Sequence, residues 1–142
     1  FRRVLFRSNR GIEADNNSNN HTAAPIANPT IKNITLIGNN GGGENHAMKL
    51  RVGTKANFDN VVLSNFGTGF DVEHDEGISY VASGELKATR VKFDNITTKS
   101  KGKKTDGTAA DVSAIFTEDA TATGAGNGTA TPTWAAGWTV GL

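Results

Sequence analysis

Residues 69–77 read GFDVEHDEG, which puts four carboxylates and one histidine into nine positions. Asp71, Glu73 and Asp75 alternate, and on a strand alternate side chains share a face with Cα atoms about 6.6–7 Å apart. That spacing admits a pair of carboxylates acting by inversion on a glycosidic bond. Asp75 and Glu76, with nearby backbone carbonyls, offer the all-oxygen coordination that calcium accepts. Against both readings stands a plainer one, in which the carboxylates line a solvated strand that ends in a solvated turn. No aromatic residue shares the inferred charged face as a platform for a sugar ring. Tyr80 is the nearest in sequence, beyond the turn. His74 falls over the column of Val52 and reads as an edge-packed histidine. His21 and His46 lie in Asn- and Gly-rich segments without metal-type spacing.

Elsewhere the chemistry is thin. The chain has no cysteine, which excludes a disulfide framework, a thiolate metal site and a cysteine nucleophile. Gly41, Gly42 and Gly43 are followed by Glu44, so they form a turn and not a phosphate cradle. Lys99, Lys101, Lys103 and Lys104 form a basic run in a Gly/Ser/Thr context, read as a solvated loop. It has none of the interleaved aromatics of a single-strand nucleic-acid platform. The first eight residues, FRRVLFRS, resemble the read-through of a common short-read sequencing adapter and are set aside from fold reasoning. Without Arg2, Arg3 and Arg7, Lys+Arg falls from 15 to 12 against 14 Asp+Glu, and the net charge moves from +1 to −2. No nucleic-acid partner is therefore expected from charge. No apolar run reaches the roughly 20 residues of a membrane helix.

What would position the acidic row is a repeating backbone. Ile31–Leu36, Phe58–Leu63 and Ala88–Phe93 share one pattern: an apolar or small residue, a β-branched residue three positions on, and Leu or Phe two further. The three-residue step breaks the period of two and predicts a corner, with Asn33 and Asn60 at equivalent corner positions. The intervals are 27 residues from Ile34 to Val61 and 30 from Val61 to Val91. Interleaved with this set run residues 11–15, 47–51 and 69–73, each opening on Gly or Ala and then alternating apolar with charged. Ile12, Met48 and Phe70 form one inward column; Ala14, Leu50 and Val72 form the next. Two interleaved strand families predict a chain winding about one axis, with successive coils in parallel register about 4.8 Å apart.

The segments RGIEADNN, NPTIKNITLIG, HAMKLRVGTKANFDNVVLSNFGTGFDV and the closing WAAGWT together resemble the right-handed parallel β-helix proteins of bacterial surfaces, secreted proteins and lipoproteins. The resemblance spans residues 10 to about 96 and then the tail. It implies an all-β, single-stranded right-handed parallel β-helix of about three coils over residues 9–98. The chain departs from the family pattern in the irregular C-terminal segment that follows, a Lys-rich then Ala/Gly/Thr-rich loop region over 99–130, before a Trp-containing cap over 131–142. The resemblance implies further coils upstream as the partner of the first one, without which the chain is expected to fold poorly or self-associate. It carries no catalytic motif.

In this register Asp71 and Glu73 point outward above Lys49 and Arg51, which stand above Glu13 and Asp15. The columns Glu13, Lys49, Asp71 and Asp15, Arg51, Glu73 alternate in sign, as a paired surface ladder that specifies register would. Trp134 and Trp138 are expected to cover the open end of the last coil. The sequence thus predicts a non-catalytic structural or adhesive segment, secreted or at the cell surface. Its partner would be a polysaccharide or other surface polymer, and it needs no cofactor unless calcium binds at Asp75 and Glu76. The alternative is part of a polysaccharide lyase or hydrolase of the same fold.

Overall fold

The computed structural model describes residues 9–39, 45–135 and 137. The adapter-like residues 1–8, the turn at Gly41–Gly43 and Trp138 lie outside them. The strands are β1 (Arg10–Asp15), β2 (Thr30–Ile37), β3 (His46–Arg51), β4 (Ala56–Glu73), β5 (Leu86–Lys103), β6 (Ala109–Ala110) and β7 (Phe116–Glu118), with one α-helix, α1 (Asp75–Ser83), between β4 and β5. Pairing is parallel throughout except at β6. Ile12 pairs with Met48 and Met48 with Phe70; Ile34 pairs with Val61 and Val61 with Val91. These are the two interleaved columns expected from the repeat. The architecture is an all-β parallel β-helix, whose strands stack by backbone hydrogen bonds along the axis while their inward side chains fill the coil.

The corners follow from backbone chemistry. Asn33, Asn60 and Arg90 have φ of 58°, 56° and 54°, left-handed values that Asn adopts more readily than most residues. A second corner column, Asn65 and Asn95, has φ of 61° and 51°. Each column is stitched by side-chain amides: Asn60 Nδ2 donates to Asn33 Oδ1 at 2.9 Å, and Asn95 Nδ2 donates to Asn65 Oδ1 at 2.8 Å. Each bond satisfies one side chain with the next coil's copy, so the corners register the stack as the strands do.

The core is a column of Met48, Leu50, Phe58, Val61, Leu63, Phe70, Val72, Leu86 and Val91, all buried. Phe70, Phe93 and Phe116 form an aromatic cluster at its upper end, with centroids 4.9–6.2 Å apart. Three features differ from the expectations. Residues 99–103 are not loop: β5 continues to Lys103, with Ser100 on Phe70 and Gly102 on Val72. The turn after His74 is instead the first turn of α1, closed by Gly84 in the left-handed conformation. The end cap is also built differently, since Val112 and Ile115 join the core while Trp134 is 60 % exposed. Its indole Nε1 donates to Ala125 O at 2.7 Å on the outside of the stack, because a tryptophan N–H seeks an acceptor that the apolar interior lacks.

Candidate functional site

The acidic stretch occupies the second half of β4, and parallel register decides its neighbours. Glu13 pairs with Lys49, Lys49 with Asp71, and Asp71 with Lys101; Asp15 pairs with Arg51, and Glu73 with Lys103. The Glu13, Lys49, Asp71 column alternates in sign and continues one coil further to Lys101, while the second column is joined at Asp15–Arg51 and at Glu73–Lys103. Lys101 and Lys103 stand 30 residues after Asp71 and Glu73, the interval that separates Val61 from Val91. That shared spacing was the signal for them.

The column is not a surface ladder throughout. Lys49 is 3 % exposed, Asp71 0 % and Glu73 9 %, whereas Glu13, Asp15, Lys101 and Lys103 are exposed. Burial here is local to the middle of the column, since Asp59, also flanked by strands on both sides, keeps 27 % of its side chain exposed. At the buried centre Lys49 Nζ donates to Asp71 Oδ2 and to Glu73 Oε1, each at 2.9 Å. Lys103 Nζ reaches Glu73 Oε1 at 2.9 Å, and His46 Nδ1 lies 2.9 Å from Asp71 Oδ2. Sequence reasoning missed His46, having placed it in a loop. Arg51 pairs with Asp15 through Nε at 3.0 Å and Nη2 at 2.8 Å, and also contacts Glu13.

These contacts set the charge states. Burial by itself would raise the Glu73 carboxyl, but hydrogen bonds from Lys49 and Lys103 outweigh it and hold the group at about 2. Burial works to lower Lys49, and the hydrogen bonds to Asp71 and Glu73 outweigh it, so the ammonium is held more firmly than usual. An ammonium therefore stands between Asp71 and Glu73, where an inverting hydrolase would seat a water. A general acid needs a raised carboxyl, and Glu73 is moved the opposite way. Among the described residues Asp71 Oδ1 is buried without a hydrogen-bond partner, a desolvation cost that the adjacent Lys49 charge offsets.

Asp75 and Glu76 diverge at the start of α1. Glu76 Oε2 lies 2.9 Å from His21 Nδ1, and Asp75 faces Thr105, whose Oγ1 is 3.2 Å from the Asp75 backbone N. His21 packs edge-on against His74 at 4.6 Å between centroids. His74 Nδ1 accepts the Val52 backbone N–H at 3.1 Å, which places the imidazole over Val52 as the sequence suggested. Among the described residues no three His, Asp or Glu side chains converge as metal ligands.

A separate cleft of about 480 Å³ opens at the Asn33–Asn60 corner, lined by those two residues, by Thr123, Gly124, Ala125 and Gly126, and by Trp134. Asn60 builds its wall: Oδ1 accepts the backbone N–H of Thr123 at 2.9 Å and of Gly124 at 3.1 Å, while Nδ2 donates to Gly124 O at 3.2 Å. Thr35 fixes the same loop, its Oγ1 accepting the Ala125 N–H at 2.9 Å and donating to Gly128 O at 3.0 Å.

Neither a curated protein nor a solved structure matches the chain. The model of the pectate-lyase-like β-helix domain matches residues 3–139, nearly the whole length and every coil described above. The chain belongs to the pectate-lyase-like β-helix family.

Proposed function

We propose that this chain is a non-catalytic structural or adhesive segment of a bacterial secreted or cell-surface β-helix protein, with a polysaccharide or other surface polymer as its partner. The observation that carries the reading is the burial of Lys49, Asp71 and Glu73. The most reactive-looking residues in the sequence neutralise one another between coils and are largely closed off from solvent. The family's description supports a polysaccharide as the polymer. No helix among the described residues is long and apolar enough to cross a membrane. The family name also favours a second reading, a lyase or hydrolase, which would need reacting groups other than this column.

The test is turnover. Purified protein is incubated with polygalacturonate and with neutral polysaccharides, with and without added calcium. Reducing ends and the ultraviolet absorbance of unsaturated products are followed. No product above the blank is expected in any arm; sustained release from any polymer overturns the non-catalytic reading.

A further inference from the structure

We propose that the cleft between Asn33, Asn60 and Trp134 is a binding subsite for uncharged pyranose units of a polysaccharide. Its volume of about 480 Å³ lies within the range of small-ligand sites. Trp134 is 60 % exposed, and the hydrogen bond from its Nε1 to Ala125 O at 2.7 Å anchors the indole at the rim of the cleft. The face of a pyranose that carries axial C–H bonds is apolar and edged with positive charge density, which suits the negative face of an indole. The hydroxyls around a sugar ring need polar partners in or near the ring plane, and the cleft supplies them. Asn33 Oδ1 accepts from Asn60, while among the described residues the Asn33 Nδ2 donates to no protein acceptor and is free to meet a hydroxyl. Thr123 Oγ1 accepts from Asn60 Nδ2 at 3.3 Å, which leaves its own hydrogen to donate.

The cleft is also built in advance. The Asn60 amide holds the loop at Thr123 and Gly124, and Thr35 holds it at Ala125 and Gly128. Gly124 is pressed so close that a Cβ there would stand 2.2 Å from Thr35 Oγ1. A wall fixed this way loses little freedom when a ligand enters. None of the lining residues is charged, so nothing there compensates the carboxylates of a polyuronate. Neutral hexoses or pentoses fit, and polygalacturonate does not.

Titration calorimetry of the full chain with cellohexaose, xylohexaose and mannohexaose, and with hexagalacturonate as the charged comparator, tests the proposal. At least one neutral hexasaccharide is expected to bind, and more tightly than hexagalacturonate. Trp134→Ala should weaken that binding roughly tenfold or more, with Trp134→Phe intermediate. Asn33→Gly, which keeps the left-handed backbone, should weaken it severalfold. Absence of binding by every neutral sugar, preference for hexagalacturonate, or unchanged affinity in a folded Trp134→Ala overturns the proposal. Should Trp134→Ala fail to fold, unchanged affinity in Asn33→Gly does so. The subsite does not rest on the non-catalytic reading: turnover would leave it standing, and failure of sugar binding would leave the turnover result unaffected.

Discussion

Replacing Lys49 with Met keeps the length and apolar stem of the side chain and removes only its charge. The structure gives the size of the effect. Asp71 is 0 % exposed and would be left as a buried carboxylate facing Glu73, without the ammonium that bridges the two. Removing one member of a buried, hydrogen-bonded ion pair costs about 3–5 kcal/mol. The depressed Glu73 carboxyl points the same way: held at about 2 against an ordinary 4.5, it contributes about 3 kcal/mol at neutral pH, shared between Lys49 and Lys103. Equilibrium unfolding in urea at pH 7 should show the loss, with a melting temperature lower by on the order of 10 °C. The pH dependence has a definite sign. A depressed carboxyl stabilises the fold above its unfolded value, and that stability is lost as pH falls from about 4.5 toward 2. Lys49→Met lacks much of this term, so its deficit should shrink over that window. A loss below about 1 kcal/mol at pH 7, unchanged at acid pH, would refute the buried-pair reasoning.

Three further outcomes follow from the corners and the charges. Asn60→Ala should cost about 2 kcal/mol or more in chemical denaturation, because it strands the Thr123 and Gly124 N–H groups and places Ala at a positive φ; Asn60→Gly should cost less. Gly53 has φ of +78°, and a Cβ there would stand 2.0 Å from the His21 carbonyl oxygen, so Gly53→Ala should lower the melting temperature and speed hydrogen exchange in the His21 loop. In the native protein, stability should fall through the same acid window as Glu73 and Asp59, the latter also held at about 2 by Arg90 and Thr89, become protonated. Denaturation midpoints from pH 7 down to pH 2 would show it.

The coil register was legible because apolar and charged residues alternate cleanly in residues 11–15, 47–51 and 69–73, and the Asn33 and Asn60 corners because a three-residue step interrupts the alternation. What was missed has physical causes. Residues 99–103 looked like a loop because their inward positions are Ser100 and Gly102; the second must be small, since a Cβ there would stand 2.5 Å from Ala110 O. Helix α1 buries only Gly77 and Val81, too narrow a stripe for helical periodicity to show, and its place depends on contacts with β4 and β5. The burial of Lys49, Asp71 and Glu73 was illegible because alternation tells which way a side chain points and not what encloses it. Trp134 was expected to cover the open end of the last coil for its size, yet the acceptor for its N–H lies on the outside of the stack.

The central claim is that the acidic stretch on β4 holds coils together and reacts with nothing. Glu73→Gln and Asp71→Asn, each measured for unfolding free energy and for polysaccharide binding and turnover, test it in one comparison. The account expects both variants to lose stability at pH 7 while binding stays at the native level and turnover stays absent. Native stability combined with loss of binding or turnover in either variant would contradict it.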